Sequence, residues 1–204
     1  EAIQRRADLV VCVTEGFAET LRARGVKNVV TVSNGVDLDS VPVLDPPPVD
    51  RDHFQALYLG NHGESQRLDV VIRASALVGD SMNLHMVGHG TQRANLMALA
   101  KELNAPVTFH DSLYGADVLN RYEEADTCIV SLRDDWKSFE ATVPSKTYEV
   151  MSIGRHVTAI VRGEAARIIE ESHGGDVVAW NPEAVAQLWR SIADDRTRLN
   201  LGTS

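Results

Sequence analysis

Three strand-to-helix turns carry the residues that could do chemistry. The most informative reads Phe139-Glu140-Ala141-Thr142-Val143-Pro144-Ser145-Lys146-Thr147-Tyr148-Glu149-Val150-Met151-Ser152-Ile153-Gly154. Thr142 or Ser145 can cap a helix here, Pro144 suits a first-turn position, and Gly154 marks the far end. On such a helix Lys146, Glu149 or Val150, and Ile153 share one side. Lys146 then stands in the first turn beside free backbone donors, with Glu149 about one turn along. A cation plus amide donors suits a diphosphate, and a carboxylate a few ångströms further suits the paired hydroxyls of a ribose. The plainer alternative is an ordinary Lys–Glu pair on a solvated helix face.

A second turn, Tyr58-Leu59-Gly60-Asn61-His62-Gly63-Glu64-Ser65-Gln66-Arg67-Leu68-Asp69, places two glycines before a helix. They let backbone approach a ligand, the helix start offers free N–H groups, and Arg67 adds charge for a phosphate. His62 lies inside this loop, either within reach of a phosphate or sugar or simply as a packed loop residue. The third turn, Met86-Val87-Gly88-His89-Gly90-Thr91, is a GxG without the third glycine of a dinucleotide fingerprint, so it reads as structural. The first loop, GNHGES, also lacks that fingerprint, which argues against a nicotinamide dehydrogenase.

Metal chemistry finds little support. His85 and His89 flank a strand end and would stand roughly 13 Å apart in extended chain, too far to share an ion. Cys12 and Cys128 are the only cysteines, each inside an apolar run and without a CxxC, so both read as buried strand residues of a reducing compartment.

The elements that must position these residues are legible. Apolar runs at Leu9–Val13, Val29–Val32, Ala56–Leu59, Leu84–Val87, Val107–His110, Thr127–Ser131, His156–Val161 and Asp176–Val178 show little alternation, as strands covered on both faces do. Helical periodicity fills Gly16–Arg24, Leu68–Val78, Gln92–Leu103, Ala116–Glu124, Ser145–Ile153, Ala165–Glu171 and Pro182–Ala193. This alternation predicts an α/β fold, a Rossmann-like and mostly parallel sheet with helices on both faces.

Composition agrees with a globular protein. Of 204 residues, 44% are hydrophobic and 24% charged, and the net charge is −9. That acidity disfavours a broad electrostatic grip on nucleic acid or anionic lipid, and no apolar run reaches the length of a membrane span. No signal peptide is expected, since Glu1 opens the chain without a basic stretch and an apolar core. One break interrupts the pattern: residues 40–52 hold three consecutive prolines, 46–48, and read as an extended linker. It separates residues 1–39, a strand–helix–strand unit too small to bury its own core, from a main block at 53–193. Residues 194–204 read as a polar tail with no tertiary anchor, and the chain as a fragment of a longer protein.

Taken in order, these pieces resemble the carboxyl-terminal, donor-binding half of a retaining glycosyltransferase of family 4 with the two-domain B-type architecture. Val32-Ser33-Asn34-Gly35-Val36-Asp37 resembles the segment that ends the family's first domain. Tyr58-Leu59-Gly60 resembles the opening strand of its second. Leu84-His85-Met86-Val87-Gly88-His89-Gly90 resembles its Ile-Val-Gly-Asp-Gly loop, Ala125-Asp126 with 127–131 its Ala-Ala-Asp strand, and residues 144–154 its signature helix.

The resemblance implies that Glu149 binds the ribose of the nucleotide. It implies that Gly60, Asn61, Gly63, Gln66, Arg67, Ser145 and Lys146 hold the diphosphate, and that Asp111, Ser112 and Leu113 flank the base. Glu140 and Thr142 would meet the donor sugar. The sequence departs from the family pattern at three positions: Ala141 stands where a second Glu is usual, with Glu140 adjacent, and Asn61 and Gln66 stand where the family carries Arg and Lys. The Gly-Asn-x-Gly-x-x-Gln and Pro-Ser-Lys variants resemble the branch that builds O-antigens and capsules. The implied partners are a nucleotide-sugar donor, expected to be a UDP-sugar, and a glycan or lipid-linked acceptor, with no cofactor and no metal. The implied place is the cytoplasm, with peripheral association at the inner face of the plasma membrane. A catalytic histidine and the acceptor site would lie on the first domain. The rival from another class is a non-catalytic nucleotide-sugar or partner-binding module.

Overall fold

A computed structural model describes residues 2–37, 39 and 41–201. Among these residues eight strands and seven α-helices alternate except where β2 leads to β3: β1 (Val10–Cys12), α1 (Glu15–Ala23), β2 (Val29–Thr31), β3 (Phe54–Leu59), α2 (Asp69–Val78), β4 (Met82–Val87), α3 (Arg93–Glu102) and β5 (Val107–His110). Then come α4 (Ala116–Glu124), β6 (Thr127–Ser131), α5 (Ser145–Ser152), β7 (His156–Ile160), α6 (Gly163–Glu171), β8 (Gly175–Val177) and α7 (Pro182–Asp194). Every expected strand and helix is present, with ends moved by one or two residues.

Strands β3–β8 form one parallel sheet in the order β5-β4-β3-β6-β7-β8. The chain starts at the centre, winds to one edge, then returns and winds to the other. The reason lies in burial. Every residue of β6 and β7 is buried, so these strands need helices on both faces. Along β3 the side chains alternate: Phe54, Ala56 and Tyr58 join the core beneath α2, α3 and α7, whereas Leu57 joins the core beneath α4, α5 and α6. Fully buried Trp189 of α7 fills the first layer, and buried Cys128 lies in the second, where burial pushes its thiol up to about 12.

Strands β1 and β2 form a separate two-stranded parallel sheet. Helix α1 covers one face with a small core of Cys12, Ala18, Leu21, Val26 and Val29. The other face exposes Leu9, Val11, Val13, Val30 and Val32. This unit touches the larger layer through the Thr14 hydroxyl, which donates to the Ala141 carbonyl at 2.6 Å, and the Gly16 N–H, which donates to Glu164 Oε2 at 3.2 Å.

The proline-rich segment has no helix or strand over 41–52, and it is held to the larger layer: the Leu44 N–H donates to the Ile153 carbonyl at 3.0 Å, Arg155 Nη1 donates to the Asp45 carbonyl at 2.8 Å, and Pro47 is buried. One expectation is corrected: the polar tail is anchored. Residues 196–199 form a 3-10 turn that buries Leu199, while Arg196 pairs with buried Asp126 at 2.8 Å and Arg198 with Asp176 at 2.6 Å. Residues 202–204 of that tail lie outside the described ones. Among the described residues no helix is long and apolar enough to cross a membrane.

Candidate functional site

A parallel sheet wound in both directions from its centre leaves a gap at the carboxyl ends of its two middle strands, because the following loops diverge to opposite faces. Here those strands are β3 and β6, and the gap is an open crevice of about 250 Å³. Its walls are Tyr58–Asn61 and Gln66 on one side, and 129–132 with Pro144, Ser145 and Lys146 on the other. The order of the strands therefore brings together the first glycine loop and the start of α5, which lie over 80 residues apart in sequence.

Backbone contacts fix the first loop. The Gly60 N–H donates to the Val87 carbonyl at 3.0 Å, the His62 N–H to the His89 carbonyl at 2.7 Å, and the Tyr58 hydroxyl to the Asn61 carbonyl at 2.8 Å. Across the crevice, the Ser131 hydroxyl donates to the Gln66 carbonyl at 2.7 Å and the Arg133 N–H to the Ser65 carbonyl at 2.8 Å. The Gly88-His89-Gly90 turn serves as the loop's backing: a Cβ on Gly90 would fall 2.4 Å from the His62 carbonyl. His62 is fully buried, with its ring between those of Tyr58 and Phe109. Burial and the nearby Arg93 cation hold its pKa down at about 4, so the ring is neutral near pH 7 and packs the loop from within rather than lining the crevice.

Helix α5 opens differently from the expectation. Pro144 occupies the cap position with extended backbone, Ser145 is the first helical residue, and no side chain caps the helix. First-turn amides that no side chain caps carry the positive end of the helix dipole, and this end borders the crevice. Lys146 Nζ stands 2.9 Å from Glu149 Oε2 and 3.2 Å from the Tyr122 hydroxyl, and that hydroxyl donates to Glu149 Oε1 at 2.9 Å. Glu149 thus holds both oxygens in hydrogen bonds, and it stands one turn from the helix start as the spacing predicts. Tyr122, buried on α4, was not among the sequence candidates. Its position on the apolar side of α4 marks it only as a core aromatic.

The remaining candidates disperse. Gly60, Asn61, Gln66, Ser145 and Lys146 line the crevice; Gly63 and Arg67 do not, and Glu149 lies outside the lining, 2.9 Å behind the Lys146 ammonium. Arg67 stacks over the Trp180 ring at 4.0 Å and stands 3.8 Å from both Asp69 and Asp134, so its charge is spent on another surface. Asp111, Ser112 and Leu113 follow β5 at the same end of the sheet, one strand beyond β4. There Asp111 is exposed and pairs with Arg93 at 3.3 Å, while Leu113 packs on the core. Glu140 belongs to a 3-10 turn at 137–141, its backbone pressed against Gly163, and the Thr142 hydroxyl donates to the Ser138 carbonyl at 3.0 Å. Ala141 packs against the start of α1 near Gly16. Among the described residues that line the crevice, Lys146 is the only cationic side chain. Among the described residues no group of three or more His, Cys, Asp or Glu side chains is arranged to hold a metal ion.

A sheet of this winding, with helices on both faces and a crevice at its switch point, is a doubly wound α/β fold of the kind B-type glycosyltransferases carry. The chain belongs to the family described as Glycosyl transferases group 1, whose model matches residues 53–195. No curated protein sequence matches it. Among solved structures it is similar to HepE of Anabaena in complex with UDP and glucose, with TM-score 0.78 and 15% identity over 95% of this chain and 55% of that one. It is also similar to sucrose-phosphate synthase of Thermosynechococcus elongatus, with TM-score 0.75 and 21% identity over 98% and 52%. A third is TarM of S. aureus, solved with UDP, with TM-score 0.76 and 16% identity over 96% and 39%. The chain spans about half or less of the length of these proteins.

Proposed function

We propose that this chain is the nucleotide-sugar-binding part of a retaining glycosyltransferase of family 4, in the branch that builds O-antigens and capsules. It would bind a UDP-sugar whose glycosyl group passes to a polysaccharide or glycolipid acceptor, at the cytoplasmic face of a membrane. The observation that carries this reading is the open start of α5 on the crevice, with Lys146 in its first turn and Glu149 one turn on. The amides of Ser145 and Lys146 and the lysine ammonium stabilise the negative charge that grows on the leaving diphosphate, and Glu149 accepts hydrogen bonds from the ribose hydroxyls. Gly60 and Asn61 close the other side. The HepE and TarM structures, both solved with UDP, support the choice of uracil.

The β1–α1–β2 unit belongs, on this reading, to an acceptor-binding domain. Its exposed face of Leu9, Val11, Val13, Val30 and Val32 suits burial by further structure, and the solved relatives carry about as much chain again. The acceptor site and a catalytic histidine belong to that domain.

Calorimetric titration of the chain with UDP, GDP and ADP tests the assignment. UDP binds weakly and best, Glu149→Ala and Lys146→Ala each weaken it roughly tenfold or more, and the chain alone transfers no sugar. Equal affinity for all three nucleotides in the wild type and both variants overturns it. One observation favours the second reading, a binding module without catalysis: among the described residues Lys146 is the only cation lining the crevice. Absence of sugar transfer from a protein that contains both domains would select it.

A further inference from the structure

Tyr122 is 3% exposed, and its ring lies in the core beneath α4 with Leu57, Val87, Cys128 and Val150. Its backbone is held as well, since the Tyr122 carbonyl accepts from Arg155 Nε at 2.8 Å. The ring therefore has one place to be, and its hydroxyl emerges between Lys146 Nζ, at 3.2 Å, and Glu149 Oε1, at 2.9 Å. Burial beside the Glu149 carboxylate raises the phenol well above its ordinary range, so it remains a donor at every working pH.

Lys146 cannot serve two anions equally. In the free chain its ammonium lies 2.9 Å from Glu149 Oε2. A diphosphate at the start of α5 carries more charge than a carboxylate and draws that ammonium toward the crevice. Glu149 then loses one of its two donors at the moment its orientation matters. The Tyr122 hydroxyl, on a rigid ring and bonded to the other carboxylate oxygen, does not depend on the lysine.

We propose that Tyr122 is the positioning residue for Glu149: its hydroxyl holds the carboxylate toward the ribose while Lys146 passes from Glu149 to the diphosphate. This rests on the reading of the crevice as a nucleotide-sugar site.

The test uses the chain as it is, with UDP and 2′,3′-dideoxy-UDP as probes, the second lacking the hydroxyls that Glu149 would hold. Tyr122→Phe keeps the ring packing and removes only the hydroxyl. It should weaken UDP roughly tenfold and leave dideoxy-UDP unchanged, a selective loss that general loosening of the core would not produce. Lys146→Met supplies a measurement that does not need the tyrosine variant to fold. Both probes weaken, and the ratio of their affinities stays at the wild-type value, because the tyrosine alone keeps the carboxylate in place. Equal loss of both probes in Tyr122→Phe, or no loss of UDP, overturns the role of Tyr122, as does collapse of the ratio in Lys146→Met. Glu149→Gln separates the two levels. If it binds UDP as tightly as the wild type, or if the wild type does not bind UDP or does not distinguish the probes, the crevice reading falls and the Tyr122 role with it.

Discussion

Gly88 meets Gly60 so closely that a Cβ on the former would lie 2.1 Å from the carbonyl oxygen of the latter. Gly88 also has φ +128°, a backbone region that side chains disfavour. The contact interlocks the turn after β4 with the loop after β3, and it decides where Gly60 stands on the crevice. Gly88→Ala should therefore cost about 3 kcal/mol of stability, from overlap and backbone strain together, read as a lowered urea midpoint. An unchanged midpoint would show that the two turns are not locked.

The scarcity of positive charge in the crevice leads to a gain-of-function prediction. Gln66 lines the crevice, and its Oε1 is buried without a hydrogen-bond partner. Gln66→Lys places a second cation beside the diphosphate position and should tighten UDP roughly tenfold, with a stronger dependence on salt than in the wild type. Titration at two salt concentrations reads both effects, and unaltered affinity would place the diphosphate elsewhere.

His62 should make the fold sensitive to acid. Its folded pKa is near 4, below the ordinary 6.5, so the unfolded chain takes up a proton more readily than the folded one. Its contribution is complete above pH 6.5 and is lost progressively as pH falls toward 4. Between pH 7 and pH 5 the wild type should lose about 2 kcal/mol more than His62→Leu does. Urea unfolding of both proteins at the two pH values measures the difference, and parallel losses would contradict it.

Arg196 should matter for stability far from any ligand. It pairs at 2.8 Å with Asp126, whose side chain is fully buried and also accepts the Gln55 N–H at 2.7 Å. Arg51, 3.4 Å from the same carboxylate, remains when Arg196 is removed, so Arg196→Met should cost about 2 kcal/mol, the worth of one charged hydrogen bond. Thermal unfolding with no change in midpoint would show the turn at 196–199 to be decoration.

The strands were legible because sheets covered on both faces demand apolar runs, and 127–131 and 156–160 are buried at every position. The pairing of Lys146 with Glu149 on one side of α5 was legible because their spacing survives any small shift in where the helix begins. What escaped was carried by long cationic side chains and by residues that only the fold brings together. Arg155 and Arg196 secure the linker and the tail by reaching carbonyls and a buried carboxylate, which no periodicity records. Arg67 reads as a phosphate ligand beside a glycine loop, yet Trp180, from a distant turn, offers its ring face. Tyr122 looks like any core aromatic until α4 is laid against α5 and its hydroxyl meets Glu149.

The attachment of Leu44 to Ile153 has a mechanical meaning. Ile153 closes α5, an eight-residue rod whose opposite tip faces the crevice. A pull along the proline segment is thus delivered to the heel of the rod that bears Lys146 and Glu149, so the segment and the proposed nucleotide grip would share one lever.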